Sequence, residues 1–146
     1  MTDYLIFLSL FYLHFSYWDI KKRKIKNLDL FLFLMFQCAF LIYFEHLYWL
    51  SSLVIFVGGF SLFLLRVIAA GDVKLATIFA LGTDMSFIDD ALMLMALIGG
   101  IQATYYLIKH IFCKKNGNHS IKDKGIPYGV AICGGFYLGT LLTFFT

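Results

Sequence analysis

The 146 residues are 61% hydrophobic and 14% charged, with 17 Phe, 9 Tyr and a mean hydropathy of +0.82, against roughly 45–50% apolar residues in soluble domains. A soluble domain of this length has no interior for so many large apolar side chains, so the composition excludes that class and indicates an integral membrane protein, folded as one domain over residues 1–146. The net charge of +3 sits in clusters beside the apolar runs, which fits membrane topology and contact with lipid headgroups and gives no reason to expect a nucleic-acid partner.

Apolar runs bounded by charge fall at about 3–18, 28–44, 47–66, 73–83, 87–112 and 126–146, predicting an all-α polytopic protein with six transmembrane helices. The first run starts at Asp3 with no Lys or Arg before it; it lacks the basic leading region of a cleaved signal peptide and is read as a retained helix. It closes on Tyr17 and Trp18, and the third opens near Tyr48 and Trp49, where interfacial aromatics are expected. The fourth run is short: Val73 to Gly82 would rise only about 15 Å as a helix, so this element is expected to be short, tilted or partly enclosed by protein. Gly58-Gly59, Gly99-Gly100 and Gly134-Gly135 recur in the third, fifth and sixth runs, where small residues let helices approach closely.

Positive charge orients the chain, because cytoplasmic loops collect Lys and Arg. Lys21, Lys22, Arg23, Lys24 and Lys26 follow the first run, Arg66 and Lys74 flank the third loop, and Lys109, Lys114, Lys115, Lys122 and Lys124 surround the fifth. Asp3, Glu45, Asp84, Asp89 and Asp90 fall on the other side. Six helices with both termini outside satisfy all twelve basic residues.

Four acidic residues lie on the basic side: Asp19, Asp29, Asp72 and Asp123. Asp19 follows the apolar run ending at Trp18, and Asp72 sits in Ala69-Ala70-Gly71-Asp72-Val73-Lys74 among apolar neighbours. Ionisable side chains at such depth are costly and point to function. Helices one and four meet the same face, so the two carboxyls are expected within hydrogen-bonding or one-water distance. Two close carboxyls cannot both ionise cheaply; they share a proton and can act as base and acid toward water and a peptide carbonyl, with no metal, cofactor or covalent intermediate. Gly71 would permit close backbone approach and unusual angles just before the fourth helix. A structural alternative stands beside this: Asp72 as an N-cap. Lys74, at i+2, lies off the Asp72 face and reads as an interface-reaching lysine. His14, His46, His110 and His119 are scattered, the isolated Cys38, Cys113 and Cys133 form no CxxC pair, and Ser51, Ser52 and Ser61 lie far from any base; neither a metal centre nor a serine triad is indicated.

At these residues the chain resembles the type IV prepilin peptidase family. The family's Gly-x-Gly-Asp-x-Lys motif is similar to Ala69–Lys74, with Ala69 in place of the first glycine. Its other Asp motif, a basic loop closing on Ile-Pro-Asn, is similar to Asp19–Asn27, with Lys26 in place of proline. Pro127-Tyr128-Gly129-Val130-Ala131 resembles the start of the last helix in short members that serve tight-adherence pili. The resemblance implies a membrane aspartic endopeptidase of the bacterial cytoplasmic membrane, with Asp19 and Asp72 catalytic and Gly71, Lys74, Asn27, Pro127, Tyr128 and Gly129 positioning substrate or supporting the motifs. It implies a pilin-like precursor as partner, cut after a short basic leader and before an apolar helix. The cytoplasmic region with paired cysteines that accompanies N-methylation in larger members has no counterpart here, so peptidase activity alone is expected. Two other readings remain open from the residues: a presenilin-like protease, for which the chain is short and Asp19 early, and a small transporter or non-catalytic assembly subunit with the carboxyls lining an ion path.

Overall fold

The computed structural model describes residues 2–22, 26–115 and 128–145. These form six α-helices: α1 (Thr2–Lys22), α2 (Asn27–Tyr43), α3 (Trp49–Leu64), α4 (Ala70–Ala80), α5 (Ile88–Lys115) and α6 (Tyr128–Phe145), with one 3-10 turn at Met85–Phe87 before α5. α5 from its preceding turn and α6 are long and apolar enough to cross a membrane, whereas α2 and α3 are apolar but shorter. At 17 and 16 residues the latter rise about 24–26 Å, under the roughly 30 Å of a hydrocarbon core.

Two boundaries differ from the sequence expectation, and both matter for the site. α1 runs on to Lys22, so Asp19 lies inside its last turn and does not follow it. α4 begins at Ala70, three residues before the apolar run, because Ala69 is its N-cap and the Asp72 and Val73 N–H groups both bond to the Ala69 carbonyl. Gly71 is therefore helical and not a hinge before the helix. Asp72 is the third helical residue and makes no side-chain cap, which removes the capping alternative. α4 has 11 residues, short as its sequence foretold.

The helices are arranged around α6, which packs against α1, α4 and α5; α2 and α3 pack against α4. In a membrane, burial of apolar surface between helices gains little over lipid, so close van der Waals fit carries association. α6 supplies it by lacking side chains. A Cβ on Gly135 would lie 2.6 Å from the Met95 nitrogen and 2.7 Å from the Ala91 carbonyl oxygen, and one on Gly139 would lie 2.7 Å from the Ala91 Cβ. These two glycines, one turn apart, seat α5 backbone directly on α6. Gly59 of α3 makes room for the Val73 side chain of α4, whose Cγ1 would lie 2.9 Å from a Cβ there. The glycine pairs are not uniform: Gly58 and Gly100 have nothing within 4 Å, so one member of each of those pairs faces open space.

Aromatic contacts bind α1, α2 and α4. Phe33 lies with its ring centroid 4.7 Å from Phe79, 4.8 Å from Phe11 and 5.4 Å from Phe15, each such pair worth about 0.5–1.5 kcal/mol beyond contact area. Two buried polar side chains bond between helices: Ser52 Oγ donates to the Thr77 carbonyl at 2.9 Å, and Gln37 Nε2 donates to Tyr4 Oη at 2.9 Å. The turn after α4 is held by α6 through Thr83 and Thr140, 3.2 Å apart, and through the Asp84 N–H donating to Thr143 Oγ1 at 3.0 Å. α2 and α3 are each followed, just past the C-cap, by a non-glycine residue with left-handed backbone, Glu45 at φ 58° and Arg66 at φ 60°.

Gly135→Ala is expected to lower stability by roughly 1–3 kcal/mol through overpacking against α5, while Gly100→Ala should be neutral within about 1 kcal/mol. Thermal unfolding of the two variants in detergent micelles checks this; equal effects would contradict the packing described.

Candidate active site

Asp19 is buried, with 6% of its surface exposed, in the last turn of a helix whose C-terminal end disfavours a carboxylate. It is met by the opposite end of another helix. The Gly129 N–H, in the first turn of α6, donates to Asp19 Oδ2 at 2.7 Å. The lysines that follow Asp19 turn to aromatic neighbours: Lys21 Nζ donates to Tyr17 Oη at 2.7 Å, and Lys22 lies 4.2 Å from the centre of the Trp18 ring.

Asp72, in the first turn of α4, is half-buried and lies within electrostatic reach of Asp19. Cys133, one turn along α6 from Gly129, is fully buried and within electrostatic reach of both carboxyls. Residues i and i+4 share a helix face, so one face of α6 carries both the Asp19 donor and the thiol. Cys133 is also part of the hydrophobic core. Asp72 also lines an apolar cleft of about 260 Å³ among α3, α4, α5 and α6, with Gly58, Gly59, Ile68, Met95 and Ile132 on its walls.

The other residues singled out by sequence divide between two places. Tyr128, half-exposed, borders a neighbouring cleft that shares Ile68, Met95 and Ile132 with the first. Lys74 and Asn27 come together elsewhere, on a groove between α2, α3 and α4 bounded by Phe31, Phe56 and Thr77. Their α4 face is not the one that presents Asp72 to its cleft. Gly71 lies half-buried beside Asp72 in the helix. Pro127 and Asp123 lie outside the described residues. His14 is not a packed core residue: its side chain is half-exposed, with Nε2 3.5 Å from Asp29 Oδ2. Among the described residues no three of His, Cys, Asp and Glu come together as a metal-holding group.

Backbone angles account for both departures from the family motifs. Ala69 has φ −77° and ψ 147°, an extended conformation open to any residue, so glycine is not required there. Lys26, the N-cap of α2, has φ −75°, inside the range that proline imposes. Its ammonium lies 4.8 Å from the Trp18 ring centre, which ties the end of the loop back to α1 by cation–π attraction where proline would stiffen it by covalent means. Ala69→Gly and Lys26→Pro are each expected to fold and to change stability by under about 1 kcal/mol. Thermal unfolding reads this, and a loss above about 2 kcal/mol would mean that the present residue is needed at that position.

A profile of the type IV leader peptidase family matches residues 6–108, more than half of the chain, taking in Asp19, Asn27, Gly71, Asp72 and Lys74. No curated protein and no solved structure matched the chain. With both Asp-bearing segments inside the matched region, the chain belongs to the type IV leader peptidase family.

Proposed function

We propose that this chain is a membrane aspartic endopeptidase that removes a short basic leader from pilin-like precursors at the cytoplasmic face of a bacterial inner membrane, without N-methylation, and that Asp19 and Asp72 are its catalytic pair. The observation that carries the reading is the convergence of two carboxyls, 53 positions apart in sequence, around one buried face of α6, in a chain whose family is proteolytic.

A buried and a half-buried carboxyl within electrostatic reach of each other are most stable sharing one proton. The ionised member takes a proton from a water molecule as the water oxygen bonds to the scissile carbonyl carbon. The protonated member donates a hydrogen bond to the carbonyl oxygen, which gains negative character as the tetrahedral intermediate forms. Collapse of that intermediate breaks the C–N bond, and the proton taken from water passes to the leaving amine. The products are a new carboxyl at the leader's end and a new amine on the mature chain, with the pair returned to its starting protonation. The apolar cleft beside Asp72 is suited to exclude bulk water and to accept the apolar residues that follow the cut.

The proposed topology has six membrane-crossing helices with both termini outside. The positive-inside pattern supports it, as does the position of Asp19 and Asp72 near the basic loops. Membrane lipid then covers the outward faces of the helices, and anionic headgroups meet Lys21 and Lys22.

Asp72→Asn keeps the shape of the side chain, and the variant should insert and fold normally yet lose cleavage of a verified precursor by on the order of 100-fold or more. Asp19→Asn should match it, and the double variant should be little worse, because residues acting as one unit are non-additive. Asp29→Asn, which preserves an acceptor for His14, should cut at a near-normal rate. N-terminal sequencing of the product from membranes containing enzyme and precursor reads all four; normal processing by folded Asp72→Asn protein would defeat the protease reading. For topology, single-cysteine reporters at Lys22 and Lys115 should resist an impermeant thiol reagent added outside intact cells, while reporters at Asp84 and Asp89 react. The reverse pattern would overturn the orientation.

A further inference from the structure

We infer that Gly129 is a positioning residue for Asp19: its N–H fixes one carboxyl of the catalytic pair, and its missing side chain is what gives that carboxyl its place. The inference rests on the reading of Asp19 as catalytic and goes beyond it, since the resemblance of Pro127–Ala131 to a family segment suggested only substrate positioning or motif support.

Two independent features of the geometry converge. The first is the hydrogen bond itself, 2.7 Å from the Gly129 N–H to Asp19 Oδ2, joining residues 110 positions apart. A buried carboxylate must find donors, and an N–H in the first turn of a helix is unclaimed by the helix's own ladder. The second is space. A Cβ on Gly129 would stand 2.7 Å from Asp19 Oδ2, 2.9 Å from its Cγ and 3.3 Å from its Cβ. The obstruction is the carboxyl group and the stem that holds it, so a methyl group could enter only by displacing Asp19. Gly129 itself is buried, which leaves α6 no ready way to retreat: the same helix is held four residues on by the buried Cys133 and eight residues on by the half-buried Tyr137, stacked on Tyr12 at 5.9 Å.

The carboxyl plane of Asp19 is thus referred to α6, the helix that also packs on α4, where Asp72 resides. α6 sets the relation between the two carboxyls, although it contributes neither. A shift of about 1 Å in a reacting group can cost on the order of 100-fold in rate, so the effect of disturbing this contact falls on the chemical step and not on substrate capture.

The test uses the full chain in proteoliposomes with a synthetic precursor peptide, a basic leader followed by an apolar helix. Gly129→Ala is expected to lower kcat by on the order of 10–100-fold with KM held within about threefold. A second protein carries glycolic acid at position 129, an ester in place of the amide, which removes the N–H donor and adds no atoms. It should insert and unfold thermally like the parent and lose kcat by about tenfold. Parental kcat in the ester protein overturns the inference, whatever the alanine variant does. So does a raised KM with unchanged kcat in either protein, which would assign Gly129 to the substrate. Asp19→Asn and Asp72→Asn are assayed in parallel. If those two still cut, the protease reading itself fails; if they are inactive while both position-129 proteins keep parental kcat, only the role of Gly129 fails.

Discussion

The close approach that α6 allows its neighbours governs this fold. Lipid offers apolar side chains nearly the same environment as a protein interior, so helices in a membrane are held by fit and not by escape from water. α6 meets that demand with glycines that face different partners: Gly129 toward Asp19 in α1, Gly135 and Gly139 toward Ala91 and Met95 in α5. Its threonines near the other end hold the turn that closes α4. One helix therefore references the positions of three others, and the site lies where two of those references meet.

Much of this was legible in the residues. Six apolar runs became six helices, the shortness of the fourth followed from the few apolar residues between Asp72 and the polar turn at Asp84, and the two aspartates identified by cost of burial lie within electrostatic reach of each other. What the sequence did not carry was local. The start of α4 was missed because Ala69 is an N-cap with no capping side chain, so nothing in the residue types marked the boundary. α1 was ended early because Asp19 broke the apolar run, although a helix tolerates one carboxylate in its last turn when another helix supplies a donor. That donor lies 110 positions away, and no periodicity reaches so far. The open sides of Gly58 and Gly100 were likewise invisible, since two adjacent glycines look alike until their neighbours are known.

The short motif around Asp72 serves two surfaces. Asp72 points into the cleft shared with α5 and α6, while Lys74 shares a separate groove with Asn27, the residue that starts α2. A two-residue step on a helix turns the side chain by about 200°, so the motif cannot present both groups to one reactant. It instead lets α4 face the carboxyl pair on one side and meet the end of the first basic loop on the other. The parts of that loop that are described are anchored to the same ring, with Lys22 and Lys26 both near Trp18.

The length of α4 has a consequence for the bilayer. In the proposed six-span topology its eleven residues cover about 16 Å, roughly half a hydrocarbon core, and the turn that follows through Thr83 and Asp84 has polar groups held by Thr140 and Thr143. A short hydrophobic element draws the surrounding lipid inward or tilts to meet it, at a cost that grows with each ångström of mismatch. In such a protein the level of Asp72 relative to the headgroups is coupled to membrane thickness, and acyl-chain length becomes a variable acting on the carboxyl pair from outside the protein.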